Sequence, residues 1–157
     1  MPLIPATIIT EIRKITDDTF ELFEGFPSNA NEMALRWSIA VHTYASSVVP
    51  VSLPATSELG RIAFENIMKG ILPNPPNGLI LLPLAFTAYA VSLGLGMAPL
   101  FVGVPPPVPL VIAPIMPAGL VGAPASVQAA SLGALIDVWF RTGTATPSAG
   151  GPPVIWL

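Results

Sequence analysis

Between Gly70 and Ile136 the chain has no Asp, Glu, Lys, Arg or His, a run of sixty-seven residues without an ionisable side chain. Cysteine is absent throughout, which excludes disulfides, thiolate nucleophiles and sulfur-ligated metals together. Charged residues are only 10% of the 157, against about 25% in an ordinary soluble domain. The six basic residues are scattered, so the positive footprint of a nucleic-acid binder is missing and no nucleic-acid partner is expected. A lone histidine, His42, gives no cluster with metal-ligand spacing. The opening MPLIPATIITEIRK lacks the basic and apolar segments of a signal peptide, so export by that route is not expected.

What is present is apolar and much interrupted. Hydrophobic residues make up 52%, and there are twenty prolines and thirteen glycines. Disorder requires low hydrophobicity and high net charge, and a net charge of −3 with this hydrophobic content meets neither condition. The length suits one structural domain, 1–157. Its parts are charged amphipathic helices over 1–69, an uncharged Pro-rich region over 70–143, and an apolar-ended tail over 144–157. The expected fold is mainly α: about five short helices with extended Pro-rich connectors and a C-terminal arm.

Periodicity places the helices. Thr7 to Phe23 carries Ile8, Ile12, Ile15, Phe20 and Phe23 at three-to-four spacing, with Asp17, Asp18 and Glu21 on a wet side. A second helix runs from about Asn31 to Ser46, capped by Ser28 or Asn29, with Glu32 and Arg36 paired, Leu35, Ile39 and either His42 or Tyr44 facing inward, and Trp37 and Val41 adjacent. Val48 to Leu53, broken by Pro50, reads as an edge strand or extended connector. A third helix, capped by Thr56 or Ser57, turns Leu59, Ile62, Ala63, Ile67 and Met68 inward and pairs Glu58 with Arg61 and Glu65 with Lys69. A fourth starts near Pro83 and stops before Pro99. The last covers Val127 to Arg141, with Asp137 and Arg141 as a partly buried ion pair.

Catalytic chemistry is not legible. A nucleophile would need Ser or Thr beside His42 and an orienting acid such as Asp137 or Glu65. No nucleophile elbow, phosphate-binding loop or dinucleotide fingerprint occurs. No catalytic residue, metal site or cofactor is therefore expected, and His42 reads as a packed residue.

Function has to come from surface. A chain this size cannot hide both the uncharged run and the apolar stripes of its helices, so an apolar exterior awaiting a partner is expected. The candidate interface is Leu100, Phe101, Val104, Val108, Leu110, Val111, Ile112, Ile115 and Met116, with Val154, Ile155, Trp156 and Leu157 as an apolar hook. The segment GMAPLFVGVPPPVPL, the Ala/Gly/Pro stretch after it, and IDVWFRTGTATPSAGGPPVIW resemble small hydrophobic virion proteins of contractile-tailed marine bacteriophages, over roughly Leu79 to Trp156. The resemblance implies a part of a tail, baseplate or head, located in the virion and partnered by copies of itself and other structural proteins. A small integral membrane protein, holin-like or an anchor, with a Pro-kinked span near 79–104, is one alternative, and membrane contact ranks behind protein partners. A soluble module for an apolar or Pro-rich ligand is another. Trimming the last four residues is expected to impair assembly while circular dichroism shows similar helix content.

Overall fold

The computed structural model describes residues 2–71, 78–110 and 122–157. Helix α1, Pro5–Thr16, begins on Pro5, where a missing N–H costs nothing, and buries Ile8, Ile12 and Ile15. It stops at Thr16, well short of Phe23. Asp17 takes extended backbone, and its carboxylate accepts the Thr19 N–H (3.1 Å), the Thr19 hydroxyl (2.6 Å) and Arg13 Nε (2.8 Å). These local bonds compete with a further helical turn and win. Asp17 is thus buried, not on a solvated face, with its carboxyl held below the usual range by the Thr19 hydroxyl and Arg13.

Helix α2, Ala30–Ala45, is capped by Asn29, whose Oδ1 accepts the Glu32 N–H at 3.0 Å. Glu32 reaches back to the Ser28 N–H (2.7 Å) and hydroxyl (2.6 Å), closing the helix start reciprocally. The Ser28 hydroxyl, its N–H and Arg36 hold the Glu32 carboxyl down to about 2. The inward face is Ala34, Ser38, Val41, Tyr44 and Ala45, which keeps Tyr44 of the two alternatives, while Leu35 and Ile39 are exposed against the expectation from sequence. Small side chains at 34, 38 and 45 are what let neighbouring helices approach.

Helix α3, Pro54–Ile71, keeps Ile67 and Met68 of the expected stripe against the core but not Leu59 or Ile62. Phe64 and Met68 are buried, and Leu59 and Ile62 lie outside. Helix α4, Gly78–Leu95, starts before Pro83, which sits inside it. Early in a helix that proline removes one backbone bond without ending the element. Helix α5, Ala125–Phe140, is the last of five helices among the described residues, and the fold is mainly α.

The helices pack as antiparallel neighbours. His42 and Ser38 on α2 face Glu58 and Arg61 on α3. Gly60 on α3 lies under Ser92 on α4, where an added Cβ would come within 2.8 Å of the serine Cβ. Gly133 on α5 lies under Ile9 of α1. At the centre Phe86 of α4 meets Phe64 (5.1 Å between ring centroids), Trp139 (6.0 Å) and Phe140 (6.4 Å). Phe140 in turn meets Tyr44 (5.8 Å) and Tyr89 (6.3 Å), all edge-on.

A small antiparallel sheet, not anticipated from sequence, closes one end. Strands β1 (Phe101–Val104), β2 (Thr144–Pro147) and β3 (Val154–Ile155) lie in that order. Val104 pairs with Thr144, and Thr144 with Ile155. Gly103 touches Gly94 of α4 so closely that a Cβ on Gly103 would lie 2.6 Å from the Gly94 Cα. Two glycines face each other because nothing larger fits. The C-terminal arm is therefore docked: the Trp156 ring packs on Gly143 and its Nε1 donates to the Thr144 carbonyl (3.0 Å). Val48–Leu53 is a connector, not a strand, although Val49 and Leu157 exchange both backbone bonds (2.8 and 3.1 Å). Among the described residues no helix is long and apolar enough to cross a membrane.

One polar cluster ties the ends of this arrangement together. Asp137 on α5 accepts the Tyr44 hydroxyl at 2.6 Å and Arg141 Nε at 2.8 Å, and Arg141 donates to the Leu3 carbonyl at 2.7 Å. The expected Asp137–Arg141 pair is present and largely buried on the acid side. Replacing Asp137 with Ala is expected to cost about 3–5 kcal/mol, because the partners are left without their acceptor. Tyr44→Phe, which removes one donor only, should cost about 1–3 kcal/mol. Urea denaturation of the two variants beside the parent chain checks both the order and the size.

Candidate functional site

An apolar groove of about 530 Å³ opens beside the sheet, lined by Val49, Pro50, Val51, Met97, Leu100, Phe101, Val154, Ile155 and Leu157. Three separate segments build it. The α2–α3 connector supplies one wall, held in place where Val49 pairs with Leu157. The turn after α4 supplies Met97 and Leu100, and the Phe101 N–H is fixed on the Met97 carbonyl at 3.1 Å. The last strand supplies the third wall. No lining side chain is ionisable, so the side chains of the groove bind by shape and dispersion.

The sequence-derived interface residues separate into three groups. Leu100, Phe101, Val154, Ile155 and Leu157 come together as groove walls. Val104 and Val108 are exposed but do not line it. Leu110 and Trp156 are buried within the chain itself, so neither is surface for a partner to touch. Val111, Ile112, Ile115 and Met116 lie outside the described residues. Sequence reasoning missed Val49, Pro50, Val51 and Met97. The VVPV run around Pro50 was the available signal, read as backbone geometry and not as a wall.

Because Trp156 belongs to the core, trimming the last four residues is first a loss of stability. The expectation that helix content survives such trimming therefore has to be withdrawn: Phe/Trp truncations in a core cost about 3–5 kcal/mol.

The second chemical candidate is the polar seam between α2, α3 and α4. His42 Nδ1 lies 2.9 Å from the Tyr89 hydroxyl, and its Nε2 lies 3.8 Å from Glu58. Arg61 donates to Glu58 (2.8 Å), to Glu65 (3.0 Å) and to the Ser38 hydroxyl (3.1 Å). The Glu58–Arg61 and Glu65–Lys69 pairs expected from spacing are formed. Of the acids considered as orienting groups, Asp137 on α5 serves Tyr44 and Arg141, and Glu65, within the seam, serves Arg61 and Lys69. The hydroxyl facing His42 belongs to Tyr89, which is fully buried and so is closed to a substrate. Among the described residues no group of three or more His, Cys, Asp or Glu could hold a metal ion.

Comparison with protein-family models, with curated proteins and with solved structures finds no match for the chain.

Burial lowers the His42 pKa from its ordinary value of 6.5, with Glu58 opposing and Arg61 assisting. Between the folded value and 6.5 the unfolded chain binds more protons than the folded one. Stability therefore climbs with pH across that window and is lost as pH falls below about 6.5. Urea midpoints measured from about pH 5 to 7.5 should rise, and His42→Gln should flatten that rise. An unchanged slope in the variant would show that another group titrates.

Proposed function

We propose that the chain is a structural subunit of a large protein assembly, a bacteriophage virion component of the tail, baseplate or head, that works by apolar contact and not by catalysis. The observation that carries this reading is the groove. Its walls gather residues from distant parts of the chain into one uncharged concave surface that the chain's own core leaves unfilled. Leu100 and Val51, both lining residues, are strongly exposed. Apolar surfaces of this kind on soluble proteins mark contact sites. Burying about 1,500 Å² of apolar area at ~25 cal/mol/Å² gives a gross gain of tens of kcal/mol. That exceeds an association cost of about 4–15 kcal/mol. The virion assignment itself rests on the sequence resemblance. It places the chain in the particle, and in the host cytoplasm while particles are being built, beside copies of itself and other structural proteins.

The groove also favours a second reading. Its volume of about 530 Å³ falls within the ~300–1,000 Å³ of small-molecule sites, and Pro50 lies in its wall. A soluble module that holds an apolar ligand would use the same surface.

Mass spectrometry of purified particles, with cross-linking to name the neighbours, separates the two. Recovery of the chain in assembled particles at fixed stoichiometry is the expected result. A freely dispersed monomer that takes up an apolar dye, and is absent from particles, would overturn assembly in favour of the ligand-binding module.

A further inference from the structure

We propose that the loop 18–26, which follows α1, is a docking element for a different protein, and that the surface it fits is an apolar pocket rimmed by lysine or arginine. Such a contact is separate from the groove and goes beyond the assembly reading. Its anchor is aromatic. Phe26 is 65% exposed and Leu22 is 51% exposed. The Phe26 ring meets Phe23 edge-on, with 4.9 Å between ring centroids, so the exposed ring is steadied by a second one. Buried aromatic anchors carry much of the binding energy where one protein seats on another.

Charge selects the partner. The chain has nine acidic and six basic residues. All six basic side chains are held in ion pairs, with Glu11, Asp17, Glu32, Glu58, Glu65 and Asp137. Among the described residues the acids left in no ion pair are Asp18, Glu21 and Glu24, and all three are exposed within this one loop. They match the whole net charge of −3. A basic surface relieves their mutual repulsion, and an acidic one adds to it. A second copy has its own six cations already engaged, so the occupant is another chain.

The loop is held in shape before a partner arrives. The Phe20 N–H donates to the Asp17 carbonyl at 3.0 Å, the Phe23 N–H to the Phe20 carbonyl at 2.9 Å, and the Glu24 N–H crosses to the Lys14 carbonyl at 3.1 Å. Arg36 of α2 donates to the Gly25 carbonyl at 2.6 Å, where Gly25 takes a φ of +84° that favours glycine. Arg13 of α1 lies over the Phe20 ring, 4.1 Å from its centroid. A loop fixed on two helices loses little freedom on docking.

Nitrogen-15 amide spectra of the full chain, titrated with two helical peptides of one pattern, Leu with Lys and Leu with Glu, provide the test. The Lys/Leu peptide should shift amides at 18–26 and leave the groove residues Val51, Leu100 and Ile155 unmoved, while the Glu/Leu peptide shifts none. Raising salt from about 50 to about 500 mM should weaken binding. Asp18→Asn, Glu21→Gln and Glu24→Gln combined should weaken it about tenfold. Phe26→Ala should weaken it too, which attraction between charges alone would not require, and circular dichroism should be unchanged in both variants. No binding of the Lys/Leu peptide, shifts centred on the groove, or either variant binding as tightly as the parent overturns the proposal. Loop shifts that grow with chain concentration in the absence of peptide would assign the loop to a second copy. Loop shifts on adding phosphatidylcholine vesicles in place of peptide would assign it to a membrane, and either result also overturns the proposal. Recovery of the chain in particles is measured separately, so the assembly reading stands or falls by its own experiment.

Discussion

Edge-on packing of aromatic rings around Phe86 and Phe140 is the constraint that the other elements accommodate. These two side chains join Phe64 on α3, Tyr89 on α4, Trp139 on α5 and Tyr44 on α2 within ring-centroid distances of 4.9 to 6.4 Å. Each such pair adds about 0.5–1.5 kcal/mol beyond the area it buries. More important is direction. A ring edge must meet a ring face, which fixes the rotation of four helices about their axes. Leu35 and Leu59 are apolar and still face outward, because the rotation that would bury them would pull Tyr44 and Phe64 away from this centre.

The buried tyrosine and tryptophan polar groups around that centre have defined partners. Tyr44 donates to Asp137 and Tyr89 lies within hydrogen-bond distance of His42, so both hydroxyls point out of the aromatic cluster toward the rim of the bundle. Trp139 extends the same arrangement to the Pro-rich connector, its Nε1 donating to the Val108 carbonyl at 2.7 Å. A segment with few backbone donors of its own is thereby fixed by a donor from the core. One buried hydroxyl among the described residues, that of Ser52, has no hydrogen-bond partner. It lies against Gly96, in the connector between groove and bundle.

Helices were legible because their signals are local. Pro5, Asn29 and the acid–base pairs at helical spacing act over one or two turns, so the five helices and the Asp137–Arg141 pair could be read directly. Their phase was less legible. On α2 the inward face consists of Ala, Ser, Val and Tyr, and a rule that turns the largest aliphatic residues inward selects Leu35 and Ile39 instead. The sheet was illegible because its strands are four, four and two residues long, and the pairing of Val104 with Thr144 spans the whole of α5. Apolarity singled out both Trp156 and Leu157 without separating them. Only the Gly143 surface that receives the Trp156 ring decides that one is core and the other wall.

The antiparallel pairing of α1 with α5 bears on how the chain is made. Ile9 finds Gly133, and Leu3 finds Arg141, so the first helix has its full partner only after the last helix has left the ribosome. The apolar helix α4 is synthesised between them and emerges before either α5 or Trp156 has been made. Partly covered apolar chain is the species most prone to aggregate. Closure between such distant segments is also slow. Nascent copies should therefore depend on protection during translation more than their small size suggests.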